Sequence, residues 1–121
     1  MKVKDVTNYL ETIAPLGLQE AYDNSGFILG DSSSDIEGVL LSLDITVEVI
    51  EEAIEQKCNL IIAHHPLIFS GIKRIIYDNM VSKCIIKAIK NDINLYAIHT
   101  NFDNILNLSL IHISEPTRPL I

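Results

Sequence analysis

The sequence predicts an α/β fold with a mostly parallel sheet flanked by helices. Three observations carry that reading. Short apolar runs alternate with amphipathic stretches in the order α-β-β-α-β-α-β. The last part of that order holds two successive strand–helix–strand units, which join parallel strands through right-handed crossovers. The run at residues 39–44 is also nearly continuous in apolar residues, the pattern of a strand covered on both faces.

Each element has a local reason. Residues 3–13 place Val6, Leu10 and Ile13 on one helical face, and Pro15 with Gly17 ends the helix. Residues 22–26 carry Asp23-Asn24-Ser25-Gly26, which is turn chemistry. A short strand is expected at residues 27–31, a polar turn at 31–35 and a second strand at 39–44. Thr46 is a suitable N-cap for a helix from 47 to about 57, with Glu48, Glu51 and Glu52 near its start, where negative charge suits the helix dipole. A strand at 60–63 follows. Residues 67–76 show no decisive period. Asp78 or Asn79 can cap a helix to about 91, with Val81, Cys84, Ile85 and Ala88 on one face. A strand at 93–98 closes the alternation.

The 121 residues suffice for one domain and hardly two. An apolar content of 48%, with 6% aromatics and no Trp, is globular and can bury a core. The net charge of -7 argues against general nucleic-acid binding, which usually needs a basic patch. Cys58 and Cys84 form no C-x-x-C motif and are expected to be reduced, buried and structural in a cytoplasmic protein. No signal peptide is legible at Met1-Lys2-Val3-Lys4-Asp5, and no apolar run approaches the roughly 20 residues of a membrane span.

Two apolar runs end in metal-competent side chains. Residues 59–63 stop at His64-His65-Pro66, and residues 93–98 lead into His99-Thr100-Asn101-Phe102-Asp103. Ligands collect at the carboxyl ends of strands in open α/β sheets, so the two ends suggest one shared site. Neighbours in a regular strand face opposite ways; both histidines reach one site only if the strand has ended, which Pro66 favours. Imidazoles suit Zn, Fe, Mn, Ni or Co, and a carboxylate such as Asp103 can bridge two cations. Two metals about 3.5–4 Å apart can clamp the attacking and leaving oxygens of a hydrolysis. Alone, a His-His pair is more often a surface turn or a satisfied core pair, His99 a capping residue and Asp103 a loop acid. Asp44 ends a strand beside the presumed crevice, where it either orients an imidazole N–H or belongs to the cap region of the following helix, the second reading being preferred. Lys73 and Arg74 read as a solvated pair that could also receive a phosphate. No Walker loop and no G-x-G-x-x-G is present.

Three segments, Asp23-Asn24-Ser25-Gly26-Phe27, Ala63-His64-His65-Pro66-Leu67-Ile68-Phe69 and His99-Thr100-Asn101-Phe102-Asp103, occur in the order found in NIF-three-like proteins. The chain resembles that family, also called GTP cyclohydrolase 1 type 2 homologues, from the first helix to about Asn104. The resemblance implies the N-terminal part of a NIF-three-like fold, a centre of two divalent metal ions (Zn, Fe or Mn) and homo-oligomers built from dimers. It makes His64 and His65 metal ligands and Asp103 the bridging carboxylate. His99 stands beside the site, and Asp23 and Asn24 line the pocket. Tyr22 stands where members often carry Trp, and Phe27 where Leu is common. The family completes its site with a His and a Glu near its C-terminus, beyond the end of this chain, so incomplete metal occupancy is expected here.

Residues 108–121, Leu108-Ser109-Leu110-Ile111-His112-Ile113-Ser114-Glu115-Pro116-Thr117-Arg118-Pro119-Leu120-Ile121, resemble the translation of a sequencing adapter. The division is therefore a metal domain over residues 1–107 and a non-native tail over 108–121, with His112 and Glu115 set aside as ligands. The function expected of the parent protein is metal-dependent hydrolysis of a nucleotide or other small molecule. The alternatives are a non-catalytic metal-binding or regulatory protein, or an inactive fragment.

Overall fold

A computed structural model describes residues 1–18 and 24–98. Along the chain come α1 (Val3–Ile13), a short 3-10 turn (Leu16–Leu18), β1 (Gly26–Leu29), β2 (Val39–Ser42), α2 (Val47–Glu55), β3 (Leu60–Ala63), α3 (Met80–Lys90) and β4 (Asn94–Ala97). Residues 67–79 form neither helix nor strand. The expected tail at 108–121 lies outside the described residues.

Capping places the helices. Thr46 takes an extended conformation, and its hydroxyl accepts from Val49 N at 3.1 Å, starting α2. Asn79, rather than Asp78, does the same for α3 through Ser82 N at 2.9 Å. Both helices end alike. Lys57 (φ 58°) and Asp92 (φ 53°) turn left-handed, so that Cys58 N reaches Ala53 O at 2.8 Å and Ile93 N reaches Ala88 O at 2.9 Å. Each closure turns the chain straight into a strand.

The four strands lie in the order β1-β4-β3-β2. Strands β2, β3 and β4 are parallel, as two crossover helices require, while β1 is antiparallel to β4. The sheet is thus mixed. No crossover helix links β1 to its neighbour β4, so the connection rule that orients the other strands does not bind it.

Alternation along the strands builds a core on each face. Ile61, Ala63 and Leu95 pack with Ile50 and Ala53 of α2 and with Cys84 and Ala88 of α3. Leu60, Ile62 and Tyr96 pack on the other face with Val3 and Ala14, at the two ends of α1. Ile50, Leu60, Ile61 and Leu95 are fully buried, each worth about 1.5–3 kcal/mol of transfer free energy. The buried face of α1 runs through Val3 and Thr7, whose hydroxyl bonds Lys4 O at 3.2 Å, and Ile13 is exposed instead. Two-sided coverage belongs to the central strands β3 and β4, every residue of which is buried. β2 is an edge strand: Leu40 packs inward, but Val39 and Leu41 are 39% and 49% exposed. Its apolar sequence resembles that of a central strand, and only neighbour order distinguishes them. Cys84 is buried as expected, whereas Cys58 sits half-buried in the turn after α2; both thiols are free.

Candidate functional site

The site is built from one edge of the sheet. Ser42, Ala63 and Ala97 are in register, so β2, β3 and β4 end together. Because β1 is antiparallel, its first residue, Gly26, pairs with Ala97 at that same edge. Ile98, the last described residue, donates its N–H to Ala63 O at 2.9 Å. His99 and Asp103 follow it in sequence and lie outside the described residues, as does Asp23.

β3 stops at Ala63 and the chain bends through His64 and His65. His64 N still donates to Ser42 O at 3.1 Å, and His65 N to Leu43 O at 2.9 Å. The two rings meet edge to face, with centroids 4.9 Å apart and planes at 68°. An ideal strand would have sent these side chains to opposite faces; ending the strand brings them together. His64 is half-buried, whereas the His65 side chain is 46% exposed.

Asp44 meets His65. Its Oδ1 lies 2.5 Å from His65 Nδ1. Asp44 does not cap α2, since Thr46 does. Its segment is fastened instead by Ser42 Oγ, which donates to the Asp44 carbonyl at 2.6 Å. An ionised carboxylate only accepts, so in this contact His65 Nδ1 is the donor. This contact crosses from the end of β2 to the end of β3, and the sequence could signal it only as an acid at a strand end.

Asn24 is a contact that motif reading did not foresee. Its Nδ2 donates to Ile68 O at 2.6 Å, joining the Asn24-Ser25-Gly26 turn to the segment after His65. Lys73 and Arg74 are exposed, and Arg74 lines a hollow with Ser70, Gly71, Asn79 and Ser82 between this segment and the start of α3. Burial, with Glu48 adding to it, pushes the Cys84 thiol up. Among the described residues no three His, Cys, Asp or Glu side chains gather so as to hold a metal ion. Nor is any helix among them long and apolar enough to cross a membrane.

A family profile described as Duf34/NIF3 (NGG1p interacting factor 3) matches residues 1–110. The chain belongs to the Duf34/NIF3 family. A curated relative from Clostridium acetobutylicum, called GTP cyclohydrolase 1 type 2 homolog, is 45% identical over 105 residues, covering 87% of this chain and 39% of the relative. One of the same name from Clostridium perfringens is 47% identical over 116 residues, covering 93% and 44%. The crystal structure of Staphylococcus aureus protein SA1388 superposes with a TM-score of 0.82 at 45% identity, over 85% of this chain and 33% of that one. Reduced HcgD from Methanocaldococcus jannaschii gives 0.78 at 33% identity, over 85% and 41%. The chain therefore spans less than half the length of these Duf34/NIF3 relatives.

Proposed function

We propose that the protein is a metal-dependent hydrolase of a nucleotide or related small molecule, and that His64 and His65 are two of its metal ligands. One observation carries this reading. The Asp44 carboxylate on His65 Nδ1 leaves Nε2 as the donor, the carboxylate–histidine arrangement that orients metal-binding imidazoles and raises their basicity. The donor set fits: neutral imidazoles at the carboxyl edge of the sheet suit Zn, Fe or Mn, and Asp103 would add the hard oxygen that lets two cations share the site. Bound there, divalent metals supply Lewis-acid polarisation of a substrate oxygen. The chain's own part is to present the ligands. The bend after Ala63 turns both rings to one place, Asp44 sets the tautomer of His65, and the backbone bonds to Ser42 and Leu43 hold the bend. The name shared by the relatives, GTP cyclohydrolase 1 type 2 homolog, supports a purine nucleotide as the first substrate to assay. Homo-oligomers built from dimers belong to the same reading.

Elemental analysis of the metal-loaded protein tests the ligands. His65→Ala should lose bound Zn, Fe or Mn with an unchanged far-UV circular dichroism spectrum. Asp44→Asn should weaken metal affinity about 10–100-fold, the usual effect of removing such a partner. Wild-type metal content in His65→Ala rejects the ligand role. A GTP-turnover assay with and without chelator tests the hydrolase reading; metal retained without turnover rejects it for this chain, in favour of a non-catalytic metal-binding protein or an inactive fragment.

A further inference from the structure

The geometry points to Asn24 as a positioning residue for the His64–His65 bend, an inference that rests on reading this bend as the metal site. The near end of the bend is held by backbone bonds from His64 N to Ser42 O and from His65 N to Leu43 O. Beyond it, Pro66 has no N–H to offer. Leu67 packs against the core that α2 and α3 cover. The next carbonyl, that of Ile68, accepts from Asn24 Nδ2 at 2.6 Å across 44 positions of sequence. The bend is thus clamped at both ends, and the far clamp is a side chain.

The mixed sheet makes this clamp available. Only an antiparallel β1 starts at the edge where β3 ends; in a parallel β1 the Asn24-Ser25-Gly26 turn would lie at the opposite edge. Gly26 lets the chain enter β1 at φ +113°, and a Cβ there would come within 3.2 Å of the Leu16 side chain. At position 24 the need is for a donor on a short stem. An aspartate of the same shape would set a carboxylate against the Ile68 carbonyl.

The test uses the whole 121-residue chain as wild type, Asn24→Asp, Asn24→Ala and His65→Ala. Amide hydrogen exchange is read at His64, His65, Ile61 and Ile62, and Co(II) is titrated while its ligand-field spectrum is recorded. In both Asn24 variants exchange at His64 and His65 should quicken about fivefold, the scale of one lost hydrogen bond, with Ile61 and Ile62 unchanged. Co(II) should bind about fivefold more weakly, with an altered spectrum. Wild-type exchange at His64 and His65 overturns the inference, as does equal quickening at Ile61 and Ile62, which marks a general loss of stability. If His65→Ala binds Co(II) as the wild type does, the metal reading fails, and the exchange data still decide the role of Asn24.

Discussion

Tyr96 is fully buried on β4, and its hydroxyl has no hydrogen-bond partner among the described residues. Burial, with Glu11 adding to it, pushes its phenol up to about 12. An unfolded chain ionises tyrosine near pH ~10. The folded state therefore favours the neutral phenol. Its contribution is fully present below pH ~10 and is lost as pH rises through about 12. Tyr96→Phe should hold or raise the urea midpoint at neutral pH, because an unsatisfied buried hydroxyl costs about 1–3 kcal/mol. It should also shift alkaline unfolding to higher pH. A loss of more than about 1 kcal/mol at neutral pH would reveal a partner for the hydroxyl outside the described residues. The His65–Asp44 pair has the opposite balance. Its side chains are 46% and 58% exposed, so it adds little to stability, on the order of 0–1 kcal/mol, and its effect is on ring orientation.

Among the elements, β1 shows how one residue ends a strand. The apolar run suggested residues 27–31, but pairing stops at Leu29 because Gly30 takes φ +123°. A Cβ at Gly30 would fall 2.1 Å from Asn94 Oδ1. That oxygen accepts from Asp31 N at 2.7 Å, while Asn94 Nδ2 donates to Asn59 O at 2.9 Å. Asn59 in turn accepts from Glu37 N and donates to Asp35 O. Two asparagines thus tie the β1–β2 connection to the amino edge of the sheet. Gly30→Ala should displace Asn94 and cost about 1–3 kcal/mol for the backbone strain, with further loss from the broken bonds. Thermal unfolding reads this out, and a midpoint equal to wild type would show that Asn94 can move aside without loss.

For the molecule as a whole, the sheet's uneven cover is the main feature. α2 and α3 pack over one face and α1 over the other, leaving Val39, Leu41 and Leu43 of the β2 edge exposed at 39%, 49% and 61%. An exposed apolar edge strand is a template for pairing with another chain. The isolated 121-residue chain should therefore self-associate with rising concentration despite its net charge of -7. Leu41→Lys should reduce light scattering and change unfolding free energy by no more than about 0.5 kcal/mol, the scale of surface substitutions. Equal scattering from both proteins would place the self-association elsewhere.

Much of this was determined by local chemistry, and local chemistry is written in the sequence. The range Val3–Ile13, the Thr46 cap, the 60–63 strand and the α-β-β-α-β-α-β order follow from periodicity, capping and breakers, which act over a few residues. The end of β3 at Ala63 was legible for the same reason, since the apolar run stops at His64-His65-Pro66. Tertiary structure alone decided what depends on neighbours. β2 and β3 are similar apolar runs, yet one is an edge and the other a centre, because strand order is set by the crossovers and not by composition. The direction of β1 was likewise silent, and it places Asn24 beside Ile68. Asp44 read better as part of a helix cap than as a histidine partner, and the structure reverses that preference because parallel register sets the ends of β2 and β3 side by side. A short sequence pattern specifies a conformation; which side chains then meet across the sheet depends on long-range pairing, whose geometry no single segment contains.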